Sequence, residues 1–126
     1  MLASVGAAFA KVEVIGGAGA AACSPISGLT AKGDATVGEA GMASVQMGWS
    51  VKPCSKTQAV RVVASIINWN TKELVYTDND AGLNGKILIF VEARQIYDCT
   101  VTVFDAVTGE VLETKTFGAS TIPKGV

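Results

Sequence analysis

The run Tyr97-Asp98-Cys99-Thr100-Val101-Thr102-Val103-Phe104-Asp105 constrains this chain more than any other segment. Side chains on an extended backbone alternate between two faces, so Tyr97, Cys99, Val101 and Val103 share one face and Thr100 and Thr102 the other. The first face suits a core and the second suits water. Ala106-Val107-Thr108-Gly109-Glu110 follows at once, and its Thr-Gly pair turns the chain back on itself. The segment reads as a strand entering a hairpin, with no feature of an active site.

Further strands follow from the same period. Leu29 to Val37 alternates, with Thr30, Lys32, Asp34 and Thr36 on its polar face, and Gly38 to Gly41 supplies a turn. From Ala43 to Val51, the residues Val45, Met47, Trp49 and Val51 point one way, before Pro53 ends the run or moves it to an edge. Ala59 to Trp69 is apolar on both faces and reads as a central strand. Leu74 to Thr77, Ile87 to Val91, Tyr97 to Asp105 and Val111 to Phe117 complete a set of seven. Seven short strands in a chain of 126 residues predict a single all-β domain, a β-sandwich. Alanine, glycine, valine and threonine are plentiful and the helical period is scarce, which agrees.

Two hairpin tips match each other. Asn68-Trp69-Asn70-Thr71-Lys72-Glu73-Leu74 can be laid on Asp105-Ala106-Val107-Thr108-Gly109-Glu110-Val111: a side-chain acceptor, two spacers, Thr, a turn residue, Glu and an apolar residue. Asn and Asp at such positions accept backbone N–H groups two residues on, and Gly109 is free to take a positive φ.

The order of strands, the Tyr97-x-Cys99 pair and the tryptophan in mid-chain resemble the immunoglobulin-like and fibronectin type III-like sandwich superfamily, over roughly residues 26 to 120. The chain is also similar to bacterial secreted domains of this type that have no assigned activity. The resemblance implies that the Tyr97 hydroxyl returns to the backbone upstream and pins a corner between the sheets. The run Ala43 to Val51, however, has no cysteine to bond Cys99 across a core.

Three cysteines permit one disulfide and one free sulfur. A hairpin about residues 38 to 41 brings Cys23 close to Cys54 and favours that pair. The superfamily order Cys, Trp, Cys, carried by Cys54, Trp69 and Cys99, implies the rival Cys54–Cys99 bond among the three possible pairings, and three free thiols are a further case. A buried Cys99 behaving as a small apolar residue is the simplest reading of that position.

Residues 1–22 read as an N-terminal strand and a Gly/Ala connector, ahead of a sandwich domain at 23–126. Met1 to Ala10 resembles the end of a secretory signal, with Ala8-Phe9-Ala10 as a small-x-small site but no basic region before it. Ala20-Ala21-Ala22-Cys23 resembles a lipoprotein processing box, although Lys11 and Glu13 interrupt the apolar run such a signal requires. Phe9, Ala10, Val12, Val14 and Ile15 lie in an alternating, strand-like segment, and Gly16-Gly17-Ala18-Gly19 is a flexible connector. Such a strand docks either on its own domain as an extra edge or on a neighbouring subunit as a donated strand. Leu88 and Phe90 are its expected receptor if Ile87 to Val91 lies at a sheet edge.

Chemistry is sparsely represented. Lys plus Arg number 10 against 11 Asp plus Glu, with no run of like charge, so nucleic acid and acidic membranes are poor partners. No apolar stretch approaches the roughly 20 residues of a membrane helix, so no transmembrane segment is expected. There is no histidine, which deprives a serine or cysteine nucleophile of its usual base, and no catalytic residue, cofactor or metal is expected. Asp78, Asp80 and Asn84 miss the spacing of a calcium loop and read as a solvated turn. Trp49 shares the Val45/Met47 face and reads as core, whereas Trp69 with Tyr76 is the candidate ligand platform. The sequence thus predicts a secreted or cell-surface structural protein, a homo-oligomer or filament joined by its N-terminal strand. The alternative is a monomeric extracellular module that binds a carbohydrate or a protein near Trp69 and Asp78.

Overall fold

The computed structural model describes residues 23–37 and 41–123. Its strands are β1 (Ile26–Asp34), β2 (Met42–Val51), β3 (Val60–Asn68), β4 (Leu74–Asp78), β5 (Asn84–Glu92), β6 (Ile96–Asp105) and β7 (Val111–Ser120). They form two antiparallel sheets, one in the order β1-β2-β5 and the other in the order β4-β3-β6-β7. The sheets stack as a sandwich. Between them lie Val45, Met47 and Trp49 from β2, Val62, Ala64 and Ile66 from β3, and Tyr97, Cys99, Val101 and Val103 from β6, all buried. The period-two reading of β6 therefore holds residue by residue, and the doubly apolar β3 lies inside its sheet between β4 and β6.

Strand ends differ from the sequence expectation where local hydrogen bonds or bulges intervene. β1 starts at Ile26, not Leu29, because a register shift between Ile26 and Gly28 inserts an extra residue and hides the period. It stops at Asp34, not Val37, because Asp34 Oδ1 accepts the Thr36 N–H at 2.8 Å and bends the backbone out of the ladder. Trp69 falls outside β3 for the same reason: Asn68 Oδ1 takes the N–H groups of Asn70 at 2.8 Å and Thr71 at 3.1 Å. β7 runs on to Ser120, past Phe117, since Ala119 is buried opposite Tyr97.

The two matched hairpin tips are the same turn built twice. Asp105 Oδ1 accepts from Val107 at 2.8 Å and Thr108 at 3.0 Å, as Asn68 does from Asn70 and Thr71. Thr108 Oγ1 accepts from Glu110 N, and Thr71 Oγ1 from Glu73 N, each at 3.2 Å. Gly109 (φ 79°) and Lys72 (φ 67°) occupy the same left-handed position, which costs Lys72 its Cβ clash. The N–H groups of Thr108 and Val107 hold the Asp105 carboxyl below its usual range. A depressed acid stabilises the fold above its unfolded value, near 3.8, and this contribution is lost as pH falls through the lower folded value. Asp105→Asn retains the acceptor without the charge, as Asn68 already does. The stability difference between wild type and Asp105→Asn should therefore narrow as denaturant midpoints are measured from pH 6 down to below 4. A difference that does not change over that range refutes the role of the charge.

Tyr97 forms the expected corner: its hydroxyl donates to the Glu92 carbonyl at 3.2 Å. The structure adds a second buried polar group at the same corner. Thr121 Oγ1 lies 3.0 Å from both the Glu92 and Gln95 carbonyls and accepts the Gln95 N–H at 2.9 Å. Because the Glu92 carbonyl keeps Thr121 as a partner, Tyr97→Phe should cost about 1 kcal/mol, the worth of one hydrogen bond. Thr121→Val strips the Gln95 N–H as well and should cost more, within about 1–3 kcal/mol. Urea unfolding of both variants checks the order. A larger loss for Tyr97→Phe contradicts the shared-acceptor geometry.

Candidate functional site

Each sheet leaves two strands at its edges, and the two sides of the sandwich treat them differently. On one side β1 meets β7. Glu113 and Lys115 lie on the inward-facing positions of β7, opposite Val103 and Val101. Glu113 accepts the Ser24 hydroxyl at 2.6 Å and the Ile26 N–H at 2.9 Å, while Lys115 Nζ donates to the Ile26 carbonyl at 3.4 Å. The two charges also face each other at 4.0 Å. Inward-pointing charges on an edge strand oppose the addition of another strand, so this side is closed both by contact and by electrostatics. Neither residue is apparent as a closing group in the sequence. The only signal is the charged pair Glu113-x-Lys115 in phase with the buried face of the neighbouring strand.

The other side is open. β5 pairs with β2 along its whole length, from Met42 opposite Glu92 to Ser50 opposite Asn84, and its far edge carries no strand among the described residues. Two features of its sequence make that edge adhesive. Ile87 and Ile89 point inward and pack on the core but remain partly uncovered, since no strand lies beyond them. Leu88 and Phe90 point outward with 49% and 72% of their surface exposed. A strand with apolar residues on both faces, unpaired on one side, is a template for another chain. Val91 is buried and fixes the strand at one end, while Gly85 at the other end lies against the Trp49 ring.

Leu88 and Phe90 sit opposite Gln46 and Ser44, and Lys32 and Asp34 follow on β1. Lys32, Asp34, Ser44, Gln46 and Leu88 line a shallow depression of about 140 Å³ on this outer face. The apolar pair thus borders a polar floor.

The two residues of the expected ligand platform, Trp69 and Tyr76, lie in different settings. Tyr76 lies opposite the buried Ile66 and packs against the core, where burial raises its hydroxyl pKa. Trp69 lies in the β3–β4 turn, half exposed, with Lys72 Nζ 4.9 Å from its ring centroid. Trp49 is core, as its phase predicts, and its indole N–H donates to the Gly82 carbonyl at 3.2 Å. Asp78 Oδ1 accepts the Asp80 N–H at 3.0 Å, the geometry of a turn. Among the described residues no cluster of His, Cys, Asp and Glu is suited to a metal ion.

Cys23 and Cys54 form a disulfide, with Cα atoms 5.9 Å apart across 31 residues, which removes the Cys54–Cys99 pairing. Cys99 is free and fully buried opposite Ile66, and burial pushes its thiol up to about 11. A thiol held protonated in the core is neither nucleophile nor partner. The segment Phe9 to Ile15 lies outside the described residues. No protein-family model, curated protein or solved structure matches the chain.

Proposed function

We propose that the protein is an extracellular structural subunit that associates with copies of itself by strand addition at β5, the added strand being Phe9–Ile15. The difference between the two sides of the sandwich carries this reading: β1 and β7 are closed by Glu113 and Lys115, whereas β5 presents Leu88, Phe90 and the half-covered Ile87 and Ile89. Strand addition satisfies the free backbone groups of the edge and covers apolar surface on both faces in one step. The disulfide supports an oxidising compartment. The strand order β1-β2-β5 over β4-β3-β6-β7, together with the Tyr97 corner, supports a fibronectin type III-like arrangement of the sandwich. The proposed role is structural and not enzymatic. A monomeric binding module is the weaker reading, because Tyr76 packs against the core while Trp69 is half exposed.

The test is light scattering on the full chain and on the double variant Val12→Asp, Val14→Asp. Both substitutions place charges on the face of the added strand that meets the core, so association should be lost while the sandwich still unfolds cooperatively. A wild type with the mass of one chain, or a mass unchanged by the substitutions, overturns the proposal. Loss of folding together with association also overturns it, since the strand is then an integral part of each sandwich.

A further inference from the structure

We infer that the segment Phe9–Ile15 adds antiparallel to β5 in one register, with Glu13 opposite Lys86 and Phe9 opposite Phe90. The inference rests on the proposed strand addition and names its pairing.

Three conditions select the register. The first is phase: Ala10, Val12 and Val14 must fall beside the inward positions Gly85, Ile87, Ile89 and Val91, because a slip of one residue turns every side chain to the wrong face. The second is length. A segment of seven residues against a strand of nine has few placements in which every residue is opposed. Phase and length together leave two antiparallel and two parallel placements.

Charge is the third condition and separates them. In one parallel placement Lys11 lies opposite Lys86, and like charges directly opposed are destabilising. In the other parallel placement Phe9 opposes Lys86 and Ile15 opposes Glu92, so apolar residues meet charges and no pair forms. The antiparallel placement with Phe9 opposite Glu92 has the same defect. The remaining antiparallel placement puts Glu13 opposite Lys86, which is exposed and in no ion pair among the described residues. It also puts Phe9 against Phe90, the more exposed apolar side chain of the strand, and aromatic pairs across strands are favourable. On the inward face it sets Val14 beside Gly85, Val12 beside Ile87 and Ala10 beside Ile89.

The connector agrees with the direction. This register brings Ile15 to the Asn84 end of β5, and Ser50 opposite Asn84 places that end of the sheet beside the Cys23–Cys54 bridge. From β1 to a strand outside β5 is three strand spacings, about 14 Å. Residues 16–22 extend to roughly 23 Å. The same pairing can therefore form within one chain or between two, and the register holds in either case.

Cysteine cross-linking in the full-length chain tests the register. Opposed residues in an antiparallel pair have Cα atoms about 4.5–5.5 Å apart, inside the range a disulfide spans, while diagonal neighbours lie near 7–8 Å. The variant Glu13→Cys, Lys86→Cys should therefore oxidise to a 13–86 bond, at least several-fold more completely than Glu13→Cys, Leu88→Cys or Glu13→Cys, Asn84→Cys. Peptide mapping without reduction reads the bond. The native cysteines do not compete, Cys23 and Cys54 being bonded and Cys99 buried. Preferential bonding at position 88 or 84, or no bond at any of the three, overturns the register whatever the light-scattering result. A 13–86 bond between chains supports register and association together. A 13–86 bond confined to single chains upholds the register and overturns association.

Discussion

Gly33→Ala is expected to be among the most damaging single substitutions in the described residues. A Cβ at Gly33 would overlap the Ser120 carbonyl oxygen and come within 2.6 Å of its carbon and 2.8 Å of its nitrogen. All three are backbone atoms, so no rotamer change relieves the contact. Either β1 or the end of β7 must move, and with it the corner that Thr121 ties to Gln95 and Glu92. Overpacking typically costs 1–3 kcal/mol, and a clash that only backbone movement relieves should reach about 3 kcal/mol or more. Gly28→Ala in the same strand is the control: its Cβ would meet only Ser50 Cβ, at an ordinary 3.8 Å. Denaturant midpoints for the two variants should differ by most of that energy. Equal, small losses would mean that β1 and β7 do not approach as closely as described.

Opening the disulfide is the second large effect. The bridge closes a loop of 31 residues containing β1, the β1–β2 turn and β2. On the loop-entropy model this constraint destabilises the unfolded chain by about 3 to 4 kcal/mol. The bridge lies on the surface next to Ser24, Pro25 and Ile26, the residues through which β1 engages Glu113, Lys115 and Lys52. The variant Cys23→Ser, Cys54→Ser should therefore lose about 3 to 4 kcal/mol in urea unfolding. The same loss should follow reduction of the wild type, since Cys99 is buried and contributes no exchanging thiol. A loss below about 1 kcal/mol would show that β1 is held by its ladder to β2 and its contacts with β7 alone.

Much of the architecture was legible because it follows from local alternation. Tyr97, Cys99, Val101 and Val103 had to share a face whatever lay opposite, and all four are buried. The twin turns were legible for the same reason: Asn68 and Asp105 bond backbone groups two and three residues away, and such bonds need no tertiary partner. The Cys23–Cys54 bridge could be read from hairpin register, which is also local. Strand ends were less legible where a bulge at β1 or a capping side chain at Asp34 and Asn68 interrupted the period.

The central place of β3 was legible, but which strands form the edges was not. Nothing in Asn84–Glu92 states that it is an edge, and Ile87 to Val91 carries no polar face that would mark it as one. It is exposed because β4 and β3 went to the other sheet, a decision made by long-range pairing. The same holds for Glu113 and Lys115, whose charges look like surface residues until β1 is laid beside them. Tyr76 likewise turns toward the core because its register opposes the buried Ile66. The chain by itself determined which residues turn and which face inward, and favoured one cysteine pair, because those depend on spacings of two to a few residues and on a single hairpin. Which edge stays open, and so where another strand can add, was decided only when the sheets stacked, because an edge is defined by the strands that are not beside it.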